Sequence, residues 1–185
     1  MRTPHHYLYD LVKREGMTLE DYVGSGVSLE LSNGQTKSLA GVPWHDVPWE
    51  DVDLPPDMLQ IAKENLRNRF VVVGLTEKFD ESLLLMKQRF GWRDIFYTRQ
   101  EVTAKRPPKS AIPPSTLRII EEKNNQDMEL YAFAKQLLEE QISNEGPSFE
   151  RRVKLFRLLH GAYLAVRGPW IRRRSHNLAY KLRHL

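Results

Sequence analysis

The stretch RFVVVGLTEKFDESLLLMKQRFGW, residues 69–92, predicts a strand that leads directly into a helix. Three consecutive valines favour extended backbone, and an unbroken apolar run is typical of a strand that is covered on both faces in a parallel sheet. Thr76 stands where a helix N-cap is expected, acidic residues follow it, and Gly91 stands where the helix is expected to stop. The predicted apolar face of the helix comprises Leu83, Leu84, Met86 and Phe90. This stretch predicts one βα unit.

The flanking segments extend the pattern to an α/β fold. Pro55-Pro56-Asp57 predicts the start of a helix that ends near Asn68, immediately before the strand, and its predicted buried face comprises Met58, Ile61, Ala62 and Leu66. Residues 93–97, RDIFY, predict a second short strand. Residues 29–41 are polar and turn-rich around Asn33-Gly34, which predicts a loop. A helix, a strand and a helix in succession indicate α/β connectivity.

The second half of the chain is predicted to be helical. One helix is expected from Ser115 or Thr116, and another from Asn124, which has Asp127 at the third following position in a capping arrangement. After a linker at 144–147, a basic amphipathic helix is predicted to end at Gly168-Pro169, and a further helix follows it. Its apolar face comprises Phe149, Val153, Phe156, His160, Tyr163 and Val166.

Charge is divided unevenly along the chain. The net charge is +4, yet residues 151–185 hold ten of the 28 basic residues and none of the 24 acidic residues. The tail therefore carries +10 and the remainder −6. Such a tail predicts an anionic partner, for which a membrane surface or an anionic glycan is expected. Nucleic acid is not expected, because the tail has few aromatic residues placed for stacking on bases.

Composition and motifs exclude several classes of protein. The chain has no cysteine, which excludes disulfides and thiolate metal sites. No apolar run is long enough to span a membrane and no secretory signal follows Met1, so a cytoplasmic or membrane-peripheral location is the default expectation. The motifs GxxxxGK[ST], GxGxxG, GxSxG and HExxH are missing. His5, His6 and His45 have no partner ligands at helical spacing, so no metal site is predicted.

One long loop has the composition of an anion site. Residues 98–114 contain four prolines, and four basic residues lie among them: Arg99, Lys105, Arg106 and Lys109. Loops of this length are often functional, and guanidinium and ammonium groups next to a strand end suit a phosphate or a sulfate. A solvated surface loop is the alternative interpretation.

Separated sequence blocks resemble the carboxy-terminal half of the carbohydrate sulfotransferases related to the heparan sulfate 2-O- and 6-O-sulfotransferases. The blocks are Asn33-x-Gln35-Thr36-Lys37-x-Leu39-x-Gly41, Ala62-Lys63-x-Asn65-Leu66, the run from Phe70 to Phe79, and the run from Ile120 to Lys135 that contains Asn124, Asp127 and Tyr131. Lys37 stands where the family usually has arginine. The resemblance covers residues 3–143 as a sulfotransferase-like domain, and residues 144–185 form the basic helical tail.

The resemblance implies a helix-rich, partial P-loop-like α/β fold with few parallel strands. It also implies transfer of a sulfuryl group from 3′-phosphoadenosine 5′-phosphosulfate (PAPS) to a carbohydrate hydroxyl. Lys105 and Arg106 match basic residues that the family presents to the nucleotide, and Gln35, Thr36 and Lys37 are expected to line the site.

In the family, the phosphosulfate loop, the histidine base and an arginine-serine pair all precede the segment that matches residues 2–6. No catalytic residue is therefore expected here, and the resemblance implies a truncated sulfotransferase. Two further expectations follow. The chain self-associates through an exposed sheet edge, or it acts as a non-catalytic module whose basic tail binds a membrane surface or a glycan.

Overall fold

A computed structural model describes residues 8–42, 54–98 and 108–183, and within these ranges every regular element is a helix. The α-helices of these ranges are, in order, α1 Tyr9–Arg14, α2 Leu19–Ser25, α3 Gly34–Ala40, α4 Met58–Arg69, α5 Phe79–Phe90, α6 Pro114–Lys123, α7 Asn125–Asn144 and α8 Ser148–Arg183. Short 3-10 helices occupy Leu29–Leu31, Thr76–Lys78 and Lys109–Ala111. The described ranges contain no strand, so the predicted α/β fold with parallel strands is wrong.

The valine run explains why the strand prediction failed. Phe70 and Leu75 do have extended backbone, with φ, ψ of −106°, 121° and −123°, 143°. A strand exists only when a second extended segment completes its hydrogen-bond ladder, and no described segment does so here. Val71 is instead 62% exposed. Residues 93–97 are likewise irregular. The described ranges therefore contain no sheet edge through which the predicted self-association could occur.

The described residues divide into two compact units. The first, which we call the α3 unit, comprises residues 8–42, 54–73 and 108–137, and the second, the α8 unit, comprises residues 74–98 and 138–183. Helix α7 contributes residues to both units.

The α3 unit has a small core of residues spaced as expected for amphipathic helices. Met58, Ala62 and Leu66 of α4 are buried, which confirms the predicted face of that helix. In the sequence, Thr18 followed three residues later by Asp21 predicts a capped helix start. The structure confirms it in α2: the Thr18 hydroxyl accepts the Asp21 N–H, and Asp21 accepts the Thr18 N–H.

The α8 unit is built on one long helix. Phe149, Val153, Phe156 and His160 are buried as predicted, but Val166 is 78% exposed. The helix also continues through Gly168-Pro169, where the sequence predicts a stop, so the two predicted helices are one. Gly91 does end α5, with a left-handed φ of 66°.

Ser82, not Thr76, organises the start of α5. The backbone N–H of Leu75 donates to Ser82 Oγ at 3.1 Å, and Ser82 Oγ donates to the Lys78 carbonyl at 2.8 Å. Thr76 lies in the 3-10 helix that precedes α5, and the helix begins after Lys78. The buried face of α5 is centred on Ser82 and Leu85, whereas Phe90 is half exposed. A Cβ on Gly74 would lie 2.9 Å from Ser82 Cβ, so only glycine fits opposite this serine.

We expect Gly74→Ala to destabilise the α8 unit by about 1–3 kcal/mol, because Ser82 Cβ is next to the backbone and cannot rotate away. Gly161→Ala is the matched control: Gly161 lies inside α8 with open space around it, so alanine is expected to stabilise by up to about 1 kcal/mol. Urea denaturation followed by circular dichroism measures both. Equal stability of Gly74→Ala and the unmodified protein would show that the close approach is not present.

Candidate functional site

Helix α3 forms where the sequence predicts a loop, and Asp127 is the reason. One carboxylate oxygen of Asp127 accepts the backbone N–H of Thr36 at 2.8 Å and the Thr36 hydroxyl at 2.6 Å. Its other oxygen accepts the N–H of Gln35 at 3.1 Å. These are the N–H groups that the first turn of a helix leaves without a partner. A residue 91 positions away in sequence therefore caps α3.

The capping is reciprocal, because Asn33 caps α7. Asn33 Oδ1 accepts the N–H of Gln126 at 3.0 Å and that of Asp127 at 3.2 Å. Asn33 can turn its side chain this way while starting α3 because its backbone is left-handed, with φ 48°, ψ 41°. Asparagine tolerates this conformation better than other residues with a side chain. The capping predicted between Asn124 and Asp127 is thus wrong in its partner: Asn33, which precedes α3, caps α7, and Asp127, in the first turn of α7, caps α3.

Two further asparagines complete the arrangement around α3. Asn124 Oδ1 accepts the N–H of Asn33 at 3.0 Å, and its Nδ2 donates to the Ile120 carbonyl at 2.8 Å. Asn65 of α4 donates to the Leu39 carbonyl at 2.7 Å, in the last turn of α3. We call Asn33, Thr36, Asn65, Asn124 and Asp127 the α3 clasp. Its members come from three of the sequence blocks that carry the sulfotransferase resemblance.

Helix α6 is held at both ends within the same unit. Glu20 of α2 accepts the hydroxyls of Ser115 and Thr116 at 2.9 and 2.7 Å. At the other end, Lys123 Nζ donates to the Gly24 carbonyl at 3.1 Å, and its own carbonyl accepts the Ser32 hydroxyl. The segment that contains Lys105 and Arg106 therefore leads into a helix whose start is fixed.

Thr36 and Lys37 are buried in this clasp. Thr36 is fully buried, and Lys37 is 5% exposed with its ammonium donating to the Ser32 carbonyl. Burial lowers the pKa of Lys37 below its ordinary value of 10.5, and the Asp127 carboxylate offsets part of that effect. Thr36 is committed to a contact with α7, and Lys37 to the carbonyl of Ser32, in the segment before α3. Their predicted part in lining a nucleotide site stays a prediction.

Gln35 is the exposed member of the predicted lining set. It borders a shallow depression of about 460 Å³, together with Glu30, Ser38 and Asp127. Two of these residues carry carboxylates, which repel phosphate and sulfate. The nucleotide prediction therefore depends on Lys105 and Arg106, which lie outside the described residues, as do His5, His6 and His45. No group of three or more His, Asp or Glu side chains in the described ranges could hold a metal ion.

Residues 96–97 pack on α8 as part of an aromatic array. The rings of Phe96 and Tyr163 stack at 4.7 Å, and those of Tyr97 and His160 stack at 4.3 Å. His160 is buried, and its Nδ1 has no hydrogen-bond partner among the described residues. The segment predicted as a strand therefore contributes aromatic rings to a helical core.

Asp80 and Arg157 fasten α8 to α5. Arg157 Nε donates to Asp80 Oδ2 at 2.9 Å, Arg157 Nη2 pairs with Glu81 at 3.1 Å, and the Tyr97 hydroxyl donates to Asp80 Oδ1 at 2.9 Å. Burial alone raises the pKa of Asp80, but the hydrogen bonds from Arg157 and Tyr97 outweigh it and hold the pKa below its ordinary value of 3.8.

The stability of the α8 unit is expected to fall as the pH drops below 3.8, the ordinary pKa of an aspartate. A carboxyl whose pKa is lowered by folding stabilises the protein above its ordinary pKa, and this stabilisation is lost as the pH drops through the lowered value. We expect Asp80→Asn to flatten the pH dependence, and Glu139→Gln, on an exposed position of α7, to leave it unchanged. Thermal unfolding across this pH range measures both slopes. Equal slopes for Asp80→Asn and the unmodified protein would contradict the assignment.

Comparisons of the chain with protein-family models, with curated proteins and with solved structures found no match. The sulfotransferase resemblance therefore rests on the sequence blocks themselves. Among the described residues, no helix is both long enough and apolar enough to cross a membrane.

Proposed function

We propose that this chain is the carboxy-terminal portion of a PAPS-dependent carbohydrate sulfotransferase, and that it contributes nucleotide binding rather than the catalytic base. The observation that carries the proposal is the α3 clasp. Sequence blocks around Asn33, Asn65 and Asn124, chosen for their resemblance to one family, meet around a single short helix. If a family pattern reflects a shared structure, the residues of that pattern are expected to contact one another, and the α3 clasp is a contact network of this kind.

The proposed role of Lys105 and Arg106 is to hold a phosphate of the nucleotide. The transferred sulfuryl group and the nucleotide phosphates are charge-rich, so positioned cations both bind the nucleotide and stabilise the transfer. Support comes from the helix that follows: Glu20 fixes Ser115 and Thr116 at the start of α6. The acceptor is proposed to be a carbohydrate hydroxyl, and the base that takes its proton is assigned to no residue of this chain.

Titration calorimetry with adenosine 3′,5′-bisphosphate, the product that PAPS leaves behind, tests this proposal. We expect the chain to bind the nucleotide and the double variant Lys105→Ala/Arg106→Ala to bind at least about tenfold more weakly, since hydrogen bonds to charged groups contribute about 1.5–3 kcal/mol each.

The double variant Arg118→Ala/Lys135→Ala is the control. It removes the same charge from exposed positions of α6 and α7 and is expected to bind normally. Absence of binding to the unmodified chain, or equal weakening by the two double variants, would overturn the nucleotide assignment.

A second candidate function is attachment to an anionic membrane surface through α8. One side of this helix exposes apolar residues: Leu155 and Leu159 are 56% and 50% exposed, and Leu158 and Val166 are more than 70% exposed. Exposed basic residues flank them along the helix: Arg151 and Lys154 before Leu155, and Arg167 after Val166. An exposed apolar stripe flanked by basic residues is typical of helices that lie in the interface of anionic bilayers.

Vesicle co-sedimentation separates this candidate from the first. The protein is expected to sediment with vesicles that contain phosphatidylglycerol, but not with pure phosphatidylcholine, and to be released by salt. Leu158→Ser/Val166→Ser is expected to abolish sedimentation while leaving nucleotide binding intact. Equal binding to neutral vesicles would contradict the electrostatic part of this candidate.

A further inference from the structure

A cavity between α5, the segment after it, and α8 has the lining of a site for an amphiphilic anion. Its volume is about 290 Å³, at the lower end of small-molecule sites. The walls are largely apolar and include Leu84, Ile95, Phe96, Leu155, Phe156 and Leu159. A cavity of this size and lining suits one hydrocarbon chain better than a polar metabolite.

Three cations border the same cavity. Lys87 comes from α5, Arg93 from the following segment and Arg152 from α8. Asp94 is the one carboxylate in the lining, and its Oδ1 already accepts the N–H of Phe96 at 3.0 Å. The lining therefore carries an excess of positive charge beside an apolar interior.

Arg152 is held in place at the cavity wall. Its Nη2 pairs with Glu145 at 3.1 Å, and its guanidinium carbon lies 5.2 Å from the centroid of the Phe149 ring. The side chain is nevertheless 39% exposed, so part of it stays open to a second acidic group.

The Arg93 side chain is available to pair with an acidic group in the cavity. The Lys87 ammonium donates to the Arg93 carbonyl at 3.3 Å, which holds the segment after α5 against the helix. The Arg93 side chain is exposed and forms no ion pair in the described ranges. Glu145, the carboxylate nearest to Arg152, is occupied by Gln88 and Arg89 as well.

We infer that this cavity binds a single-chain anionic amphiphile, with its hydrocarbon chain between Leu84, Phe96 and Leu159 and its acidic head on Arg93 and Arg152. The inference does not depend on nucleotide binding, since all of these residues belong to the α8 unit. It shares Leu155 and Leu159 with the exposed apolar side of α8, and it is distinguished from attachment to a bilayer by Leu158 and Val166, which do not line the cavity. Leu159 lines the cavity, whereas Leu158, the more exposed of the two, does not.

Calorimetry with monomeric decanoate tests the inference, because decanoate offers one chain and one carboxylate. We expect decanoate to bind with one molecule per protein. Decan-1-ol and decyltrimethylammonium, which keep the chain but lack the negative charge, are expected to bind at least about tenfold more weakly. Acetate, which keeps only the charge, is expected not to bind.

Paired variants locate the binding. Arg93→Ala and Leu159→Ser are each expected to weaken decanoate binding at least about fivefold. Their controls, Arg151→Ala and Leu158→Ser, change exposed positions of α8 outside the cavity and are expected to leave binding unchanged. Urea denaturation of all four variants confirms that each is folded before it is titrated.

Three results would overturn the inference. Decanoate and decyltrimethylammonium could bind equally, which would show that the cations do not select the ligand. Leu158→Ser could weaken binding as much as Leu159→Ser, which would place the ligand on the outer stripe of α8. The protein could sediment with phosphatidylglycerol vesicles yet show no binding of monomeric decanoate, which would assign the apolar face to the bilayer alone.

Discussion

Replacing Asp127 with alanine is expected to lower the free energy of unfolding of the α3 unit by about 3 kcal/mol. The substitution removes three hydrogen bonds to one carboxylate and leaves the hydroxyl of the fully buried Thr36 without its acceptor. An N-cap is worth about 0.5–2 kcal/mol, and a buried polar group without a partner costs about 1–3 kcal/mol. Loss of the carboxylate also removes the charge that supports the buried ammonium of Lys37.

Urea denaturation measures the loss, and amide hydrogen exchange shows where it acts. Protection is expected to fall first in α3, since Asp127 supplies its N-terminal acceptors. Glu122→Ala is the control: this exposed acid of α6 is expected to change the stability by less than about 0.5 kcal/mol. A stability of Asp127→Ala equal to that of the control would contradict the capping role.

Asn33→Ala is expected to cost about 2–4 kcal/mol, and Asn33→Gly about 1–2 kcal/mol. Both variants remove the Oδ1 acceptor for the N–H groups of Gln126 and Asp127. Alanine keeps a Cβ in the left-handed backbone, at φ 48°, but loses the polar side chain with which asparagine tolerates this conformation, whereas glycine has no Cβ to strain. The difference in stability between the two variants therefore measures the conformational cost of a Cβ at this position.

The same urea denaturation measures both, with Asn125→Ala as the control. Asn125 is the exposed first residue of α7, next to Asn124, and within the described ranges its side chain accepts only from the adjacent Gln126 N–H. Its substitution is expected to cost less than either change at Asn33. An alanine variant as stable as the glycine variant would contradict the left-handed conformation of Asn33.

Local signals in the sequence were sufficient for the helices that depend on nearby residues. The Thr18 capping box, the buried face of α4 and the glycine at the end of α5 all follow from residues within a few positions of one another. The apolar spacing of α8 likewise predicted four of its buried residues.

The failures share a physical cause, which is dependence on a distant partner. The valine run has the backbone of a strand but lacks a described neighbour to pair with, so local preference could not decide the fold class. Helix α3 has the composition of a turn and becomes helical because Asp127 and Asn65 bind its two ends from elsewhere in the chain. Nothing in residues 29–41 alone signals this.

The sequence blocks identified residues that meet in the structure, but they did not identify what each residue does. The sequence blocks selected Gln35, Thr36, Lys37, Asn124 and Asp127, and the structure joins these residues in one network. What the blocks could not reveal is the role of each side chain. Thr36 and Lys37 are buried and hold α3 in place, and the cations around the cavity of the α8 unit lie in no recognised motif.

A double-mutant cycle on Thr36 and Asp127 tests the α3 clasp most directly. Thr36→Val removes the hydroxyl at nearly constant volume, Asp127→Ala removes its acceptor, and the double variant removes both. Because the two groups share a 2.6 Å hydrogen bond, we predict that Thr36→Val costs about 1–2 kcal/mol less in the Asp127→Ala background than in the unmodified protein. Strictly additive losses would show that the two groups do not interact and would contradict the clasp.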